Sequence, residues 1–421
     1  MPPVSVPPEA PRKRIAVIGA GAVGLSSALH LLRAGHAVEV FDPREPGEGA
    51  SLGNAGVVAV SEVLPLGRPA ILRQLPRMLS DPIGPLVIRW PYLPRIAPWL
   101  LRLALASRPA EVERIAQALA SLLGLAAEAW RDIARGSGAE WRLGNNGWVK
   151  VYATAADLAR AMPDIEHQRA LGVRMDVLSR DELRQLEPAL APVFAGATFC
   201  PDVCNVDMPL RMMQALAALA VQRGAVIHKR AVQRLEPDGA AAALVDEGGR
   251  RLGFDRIVVA AGAWSRRLVR SLGADVPLDT ERGYHVMLPT PEHRLRHPVS
   301  VASPGYSLVQ MEEGVRLTTG VEFAGLTAAA DFRRIRRMAE HAAGTLPGLE
   351  PRPLSEWLGF RPSMPRSLPV IGPLRTRPAV LLAFGHGHLG LTLGPITGRL
   401  VAAAVDGRTP PLDMTPFLPA S

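Results

Sequence analysis

Glycines stand at Gly19, Gly21 and Gly24, directly after an apolar run, and an acidic residue, Asp42, follows 18 positions after the third of them. That spacing suits phosphate chemistry. Glycines let the backbone approach a pyrophosphate, a helix N-terminus behind them offers free N–H donors and the positive end of its dipole, and the acid can hydrogen-bond a ribose diol. The glycine spacing alone is weak. Its setting, with a strand before, a helix after and the acid closing the next strand, makes it a dinucleotide-binding unit.

Two further glycine-rich places bear on which dinucleotide binds. They are Ala261-Gly262, after the run RIVVA, and Gly385-His386-Gly387-His388-Leu389-Gly390, before the last helical segment. A cofactor reaching them must run from the first turn across a sheet, which suits FAD better than the shorter NAD. A helix N-terminus aimed at the pyrimidine edge of a flavin also stabilises the negative charge that develops there on reduction.

The elements that must hold these residues follow from periodicity. RIAVIG (14–19) reads as a buried strand, Leu25, Leu29 and Leu32 recur at helical spacing up to Gly35, and VEVF is the next strand. Residues 47–60 are small and flexible, a loop for close backbone approach. The Pro-punctuated stretch 64–108, with Trp90, Tyr92 and Trp99 among arginines, reads as short helices packed in a substrate domain, the rival reading being a membrane-surface or quinone-facing patch. Val112 to Ile133 steps by three and four as one long helix, 208–224 as another, followed by a strand AVIHKRAVQRLE and the buried strand RIVVAAGAWS. From Tyr284 to Leu349 the alternating texture predicts an antiparallel sheet, interrupted by a helix over 331–346.

Composition narrows the class. The chain has 421 residues, 48% of them hydrophobic, with a formal net charge of +9. Lys occurs only at 13, 150 and 229, and the arginines are scattered, so no nucleic-acid partner is expected. Cys200 and Cys204 are read as ordinary thiols, since CxxxC is neither a redox nor a zinc pair, and no metal site is expected. No secretory signal and no uninterrupted apolar stretch of spanning length appears. A cytoplasmic location is expected, or one peripheral on the cytoplasmic face of the inner membrane.

The segments VIGAGAVGLSSALHLLRAGHAVEVFD, GASLGNAGVV, LGFRPSMPRSLPVIG and GHGHLGLTLGPITG together resemble the D-amino-acid oxidase superfamily of FAD-dependent oxidoreductases, closest to D-amino-acid dehydrogenases of the small-subunit type. The stretches SDPIGPLVIRWPYLPRIAPWLL and ERGYHVML extend the similarity through the middle of the chain. The resemblance implies that Gly19, Gly21 and Gly24 line the pyrophosphate, Asp42 the ribose, and Ser51 the phosphates. It further implies that Asn54, Ala55 and Gly56 pass over the isoalloxazine, that Val232 contacts the adenine end, that Gly262 belongs to the cofactor-binding set, and that Gly390, Leu391 and Thr392 reach the flavin C2 carbonyl edge. Arg361 takes the place of the arginine that pairs with a substrate carboxylate, and Tyr306 that of a tyrosine sharing it. A guanidinium forks onto a carboxylate and a phenol donates a third bond, fixing Cα over flavin N5. Tyr284 is a further candidate pocket wall. His388, near the ring edge by analogy, is a third catalytic candidate that would contact flavin or substrate, whereas His386 reads as structural and His285 as less involved.

Two departures qualify the resemblance. Where many relatives carry an acid after the Arg-Pro pair, this chain has Met364-Pro365-Arg366-Ser367, so substrate preference does not transfer. No cysteine lies in the C-terminal region where some relatives attach the flavin, so FAD is expected to be noncovalent.

The expected fold is a split Rossmann-like α/β domain that binds FAD, with a mixed α+β substrate domain built on an antiparallel sheet. The FAD-binding part is assigned to 13–80, 205–275 and 355–415, the substrate part to 81–204 and 276–354, and 1–12 to a disordered tail. The expected reaction is oxidation of the Cα–N bond of a D-amino acid, or of a D-proline-type imino acid, by hydride transfer to flavin N5. A primary amine then ends as a 2-oxo acid and ammonia, and a quinone or other acceptor takes the electrons. Alternatives are a secondary-amine oxidase of sarcosine or glycine type, the flavin subunit of a larger dehydrogenase complex, and a flavin-dependent RNA-modifying protein.

Overall fold

The computed structural model describes residues 12–419, so the tail expected over 1–12 lies, except for Arg12, outside the described residues. The strand Arg14–Ile18 is buried on both faces between two parallel neighbours, Ala37–Asp42 and Arg256–Val259. That explains its unbroken apolar run, where a half-exposed strand would alternate. The sheet continues as Val226–Lys229, Ala37–Asp42, Arg14–Ile18, Arg256–Val259, Arg377–Phe384 and Val370–Leu374, all parallel except the last.

Helix Ala22–Arg33 leaves the first strand through the glycine turn and packs on the closing helix, Gly390–Asp406. Their approach is close enough to require glycine: a Cβ on Gly398 would lie 2.5 Å from the Ser26 carbonyl oxygen. His36 Nε2 meets Asp406 Oδ1 at 2.7 Å, and Lys13 Nζ donates to the Val405 carbonyl, joining the first βαβ unit to the last helix. Gly387–Asp406 is long and apolar enough by composition to cross a membrane, yet 78% of its apolar window is buried in the protein, as in a core helix.

The second layer is a ten-stranded, mainly antiparallel sheet. Its long strand Asp279–Leu288 pairs on one side with Val315–Thr319 and on the other with Ser355–Ser363. Tyr284, Val286, Leu288, Leu308 and Leu317 form one buried cluster with Ile335, Met338 and Ala342 of helix Arg333–Ala343. Alternation then turns Glu281, Gly283 and Arg361 to the opposite face. This is the expected combination of a parallel nucleotide sheet and an antiparallel second sheet.

Two elements differ from the periodicity reading. The helix expected from Val112 to Ile133 is two helices, Pro109–Leu123 and Ala126–Ala134, because the chain turns at Gly124 and Leu125. The single strand expected over AVIHKRAVQRLE is two, Val226–Lys229 in the parallel sheet and Val232–Asp238 in a three-stranded meander, so they pair with different partners. Around the Pro-rich stretch, helices Pro69–Ser80 and Leu93–Ala106 form as expected, and Trp99 is buried with its indole N–H donating to the Ser363 carbonyl. Cys200 and Cys204 are free and buried, and burial pushes the Cys200 thiol up to about 11, so neither is a ready thiolate.

Candidate active site

One continuous cavity of about 1170 Å³ runs from the glycine turn, along Asp42 and the loop 49–55, to Trp357, Arg361 and His388. It then continues between helices Pro69–Ser80 and Leu93–Ala106, where Ile71, Leu72, Leu75, Leu100 and Leu103 line it.

The nucleotide end is built by backbone that has no room for side chains. Gly19 has φ +112°, and a Cβ there would lie 2.3 Å from the Ala260 carbonyl oxygen; a Cβ on Gly24 would lie 1.8 Å from the Gly19 carbonyl oxygen. Gly21 is different. Its nearest neighbour would be Ser51 Oγ at 3.4 Å, so the space it leaves faces the cavity. Helix Ala22–Arg33 starts without a side-chain cap at Gly21, although Ser51 Oγ accepts from the Ala22 N–H at 3.1 Å. Asp42 Oδ2 accepts from Ala20 N–H and Oδ1 from Arg44 N–H, both at 2.9 Å, and a carboxylate keeps lone pairs beyond these for a ribose. Val232 and Gly262, the latter at φ +56°, line the same stretch.

At the far end, Asn54 Oδ1 accepts from the Gly56 N–H at 2.8 Å, which folds the loop into a tight turn. Gly56, at φ +73°, is pressed against Val206, where a Cβ would lie 2.1 Å from its carbonyl oxygen. Ala55 and Asn54 line the cavity. Opposite them the closing helix begins at Gly390, again without a side-chain cap, with Gly390 and Leu391 on the cavity wall. Thr392 is not on that wall: its hydroxyl accepts from Ala59 N–H at 3.0 Å and donates to the Val57 carbonyl at 3.4 Å, tying the loop to the helix.

Two uncapped helix starts, glycine turns whose missing Cβ atoms leave backbone bare, and one cavity joining them fit an extended dinucleotide carrying a flavin. Gly19, Gly21, Asp42 and Ser51 would hold its nucleotide half, and Asn54, Ala55, Gly390 and Leu391 would hold its ring.

Arg361 stands on the cavity wall beyond the ring end. Its guanidinium crosses Gly283, where a Cβ would lie 2.5 Å from Nη2, and donates from Nη1 to the Gly320 carbonyl (2.9 Å) and from Nη2 to the Thr319 carbonyl (3.2 Å). Of five N–H groups three stay uncommitted, in a side chain shielded from bulk water but turned to the cavity. Burial lowers its pKa, and Glu281 opposes that shift. His388 also lines the cavity, with burial holding its imidazole below the ordinary histidine range, so it is neutral. His386 is bonded to Thr397 Oγ1 at 2.9 Å and pushed down to about 3 by burial, a structural imidazole.

The structure does not bring the Tyr306 hydroxyl to Arg361. Tyr306 shares the sheet face of Leu308 and Leu317, and its hydroxyl is engaged by Thr345 Oγ1 at 2.7 Å and His341 Nδ1 at 3.1 Å. Tyr284 is committed likewise, donating to Glu322 Oε2 at 2.6 Å.

Sequence reasoning missed three side chains. Glu281, directly opposite Arg361, is a buried carboxyl on the cavity wall. Trp357 lies in a slot left by Gly53 and Gly359, at either of which a Cβ would come within about 2 Å of its ring, and stacks on His285 at 5.0 Å. His285 is pushed down to about 3 by burial and donates from Nδ1 to the Gly53 carbonyl, so this stack is neutral. Arg316, buried beneath the loop, donates from Nη1 to the carbonyls of Leu52 (3.0 Å) and Asn54 (2.6 Å). A charged residue between Val315 and Leu317 was the available signal for Arg316, whereas Glu281, among Asp279, Thr280 and Arg282, gave none.

Arg316 therefore clasps the loop that would border the flavin ring. Arg316→Met keeps bulk but strips both carbonyls of their donor, a loss of about 1–3 kcal/mol for buried groups left unpaired. The expected result is FAD affinity weakened at least tenfold, read by titrating the apoprotein with FAD and following flavin fluorescence. Unchanged affinity would show that the loop holds its shape without the clasp.

Comparison with known proteins gives a consistent result. Residues 14–404 match the family model described as FAD dependent oxidoreductase (DAO). A D-amino-acid oxidase of Bradyrhizobium diazoefficiens is 37% identical over 416 residues, covering 97% of this chain and 98% of that protein. A D-amino acid dehydrogenase of the same organism is 31% identical over 415 residues, covering 96% and 97%. Among solved structures, glycine oxidase from Geobacillus kaustophilus superposes with a TM-score of 0.74 at 24% identity, over 97% of this chain and 98% of that one, a likeness of fold.

Proposed function

Because the chain belongs to the DAO family of FAD-dependent oxidoreductases, we propose that it oxidises the Cα–N bond of D-amino acids. The observation that carries the amino-acid part is Arg361, a cation facing the cavity with donors to spare. A planar guanidinium binds a carboxylate through two parallel hydrogen bonds and so fixes the orientation of Cα, which is worth more than the attraction alone. The choice of the D-enantiomer rests on the two relatives, whose names are those of D-amino-acid enzymes.

Bound FAD supplies the two-electron acceptor for the hydrogen leaving Cα. The chain supplies position: Arg361 holds the carboxylate, the neutral Trp357–His285 stack gives an apolar wall, and neutral His388 adds a hydrogen-bonding group without adding charge. The resulting imine hydrolyses to a 2-oxo acid and ammonia, or stays a cyclic imine if the substrate is a proline-type ring. The cofactor is held noncovalently, and the apolar walls between the two helices suit a lipophilic electron acceptor such as a quinone. Leu66 and Leu79 line that passage and are exposed, and Trp90 on the adjoining turn is 74% exposed, which suits peripheral contact with a membrane face.

The test is anaerobic mixing of the yellow holoprotein with a panel of amines. D-amino acids should bleach the flavin band and L-enantiomers should not. Bleaching by N-methylglycine together with indifference to handedness would replace this reading with a secondary-amine oxidase.

A further inference from the structure

Glu281 is 4% exposed and directly opposes Arg361 on the neighbouring antiparallel strand, so both side chains leave the sheet on one face. It borders the main cavity and also a second, of about 20 Å³, walled by Glu62, Ser363, Ser367, His386 and His388 among others. Space of that size admits a single water, which would have Glu62, Glu281 and Ser363 as polar partners among Leu64, Leu119 and Met364. Glu281 Oε2 and the nearby Ser363 Oγ make no well-formed hydrogen bond, although the hydroxyl lies close enough to lower the Glu281 pKa. A buried carboxyl with a bare oxygen is costly unless a ligand completes it.

An α-amino acid held by its carboxylate on Arg361 brings a cationic nitrogen to this side of the sheet. We propose that Glu281 accepts the proton which the substrate ammonium must lose before its Cα–H bond breaks, and passes it to a water in the small cavity between Glu62 and His388. This rests on the reading of Arg361 given above. In the step an N–H bond breaks, nitrogen keeps the electron pair, and an O–H bond forms on Glu281; the flavin oxidant acts only afterwards.

The surroundings suit a carboxyl that changes charge. Burial raises its pKa, Arg361 across the strand pair and the Ser363 hydroxyl oppose that, and Asp279 on its own strand adds to it. His386 is neutral and bonded to Thr397, while Glu62 faces His388 from the loop side. An ammonium placed beside Glu281 favours its ionised, proton-accepting form.

The test is Glu281→Gln in the holoprotein, with flavin reduction by a D-amino acid followed anaerobically across pH. The variant must use amine already neutral in solution. Its rate should fall on the order of 10²–10³ at neutral pH, rise about tenfold per pH unit, and approach wild type above the amine's own pKa. Glu281→Asp should keep the wild-type profile at reduced amplitude. A readout without turnover uses benzoate, a carboxylate lacking an amine. In mildly alkaline buffer its charge beside Glu281 should draw a proton onto wild type on binding, measured by calorimetry in buffers of differing ionisation enthalpy, and none onto Glu281→Gln. An equal deficit at every pH, an unchanged profile, or equal proton uptake by both proteins overturns the proposal. Failure of benzoate to bind wild type overturns instead the reading of Arg361, and this proposal with it.

Discussion

Replacing Arg361 with alanine is expected to lower kcat/KM for a D-amino acid by about two to four orders of magnitude, the equivalent of roughly 3–5 kcal/mol of lost transition-state stabilisation. The size follows from burial: a substrate carboxylate entering this cavity loses its water and meets no other cation on that face of the strand pair. The protein itself should tolerate the change. The carbonyls of Thr319 and Gly320 that lose their donor border the cavity, where water can replace it, and neither belongs to the residues that would hold the nucleotide. FAD content by absorbance should therefore match wild type, which separates a binding defect from a folding one. Arg361→Lys keeps the charge without the fork and should fall between. Near-normal efficiency in Arg361→Ala would remove this side chain from the site.

The second large effect is expected at Gly24. A Cβ there meets the carbonyl oxygen of Gly19 at 1.8 Å, and that oxygen cannot step aside. Its own peptide is pinned by Ala20 N–H donating to Asp42, and the preceding one by Gly19 N–H donating to the Phe41 carbonyl at 2.8 Å. Gly24→Ala must push helix Ala22–Arg33 off the strand, at an overpacking cost of about 1–3 kcal/mol, and spoil the turn that faces the pyrophosphate. The expected product is a destabilised, colourless protein. Gly21→Ala is the control, since its Cβ meets nothing nearer than 3.4 Å. That variant should fold as wild type and lose only affinity for FAD. Absorbance of the purified variants and their thermal unfolding check both outcomes, and a yellow Gly24→Ala protein would refute the steric argument.

Local features were legible in the sequence. The turn at Gly19, Gly21 and Gly24, its flanking strand and helix, and Asp42 lie within one βαβ unit, and their chemistry needs no distant partner. Side-chain direction across the second sheet was not legible in the same way. Tyr306 borders the cavity, but where its hydroxyl finds partners, here Thr345 and His341, depends on the pairing of strands far apart in the chain, and a shift of one residue exchanges the faces. Arg361 and Glu281 share a face for the same long-range reason, through the pairing of 279–288 with 355–363. Thr392 stands at the expected helix end, with its hydroxyl bonded to the backbone at 57–59, a tertiary contact that the local sequence does not show. The break at Gly124 left no mark on an apolar rhythm that runs through both helices.

The contact between helix Ala22–Arg33 and the closing helix, glycine against backbone at Gly398 and Ser26, bears on how the cavity is kept intact. The glycine turn before the first of these helices and the wall at Gly390 and Leu391 before the other would receive opposite ends of one cofactor. Proteolytic trimming of the closing helix would therefore open the cavity and release the pigment although every glycine of the opening turn remained in place.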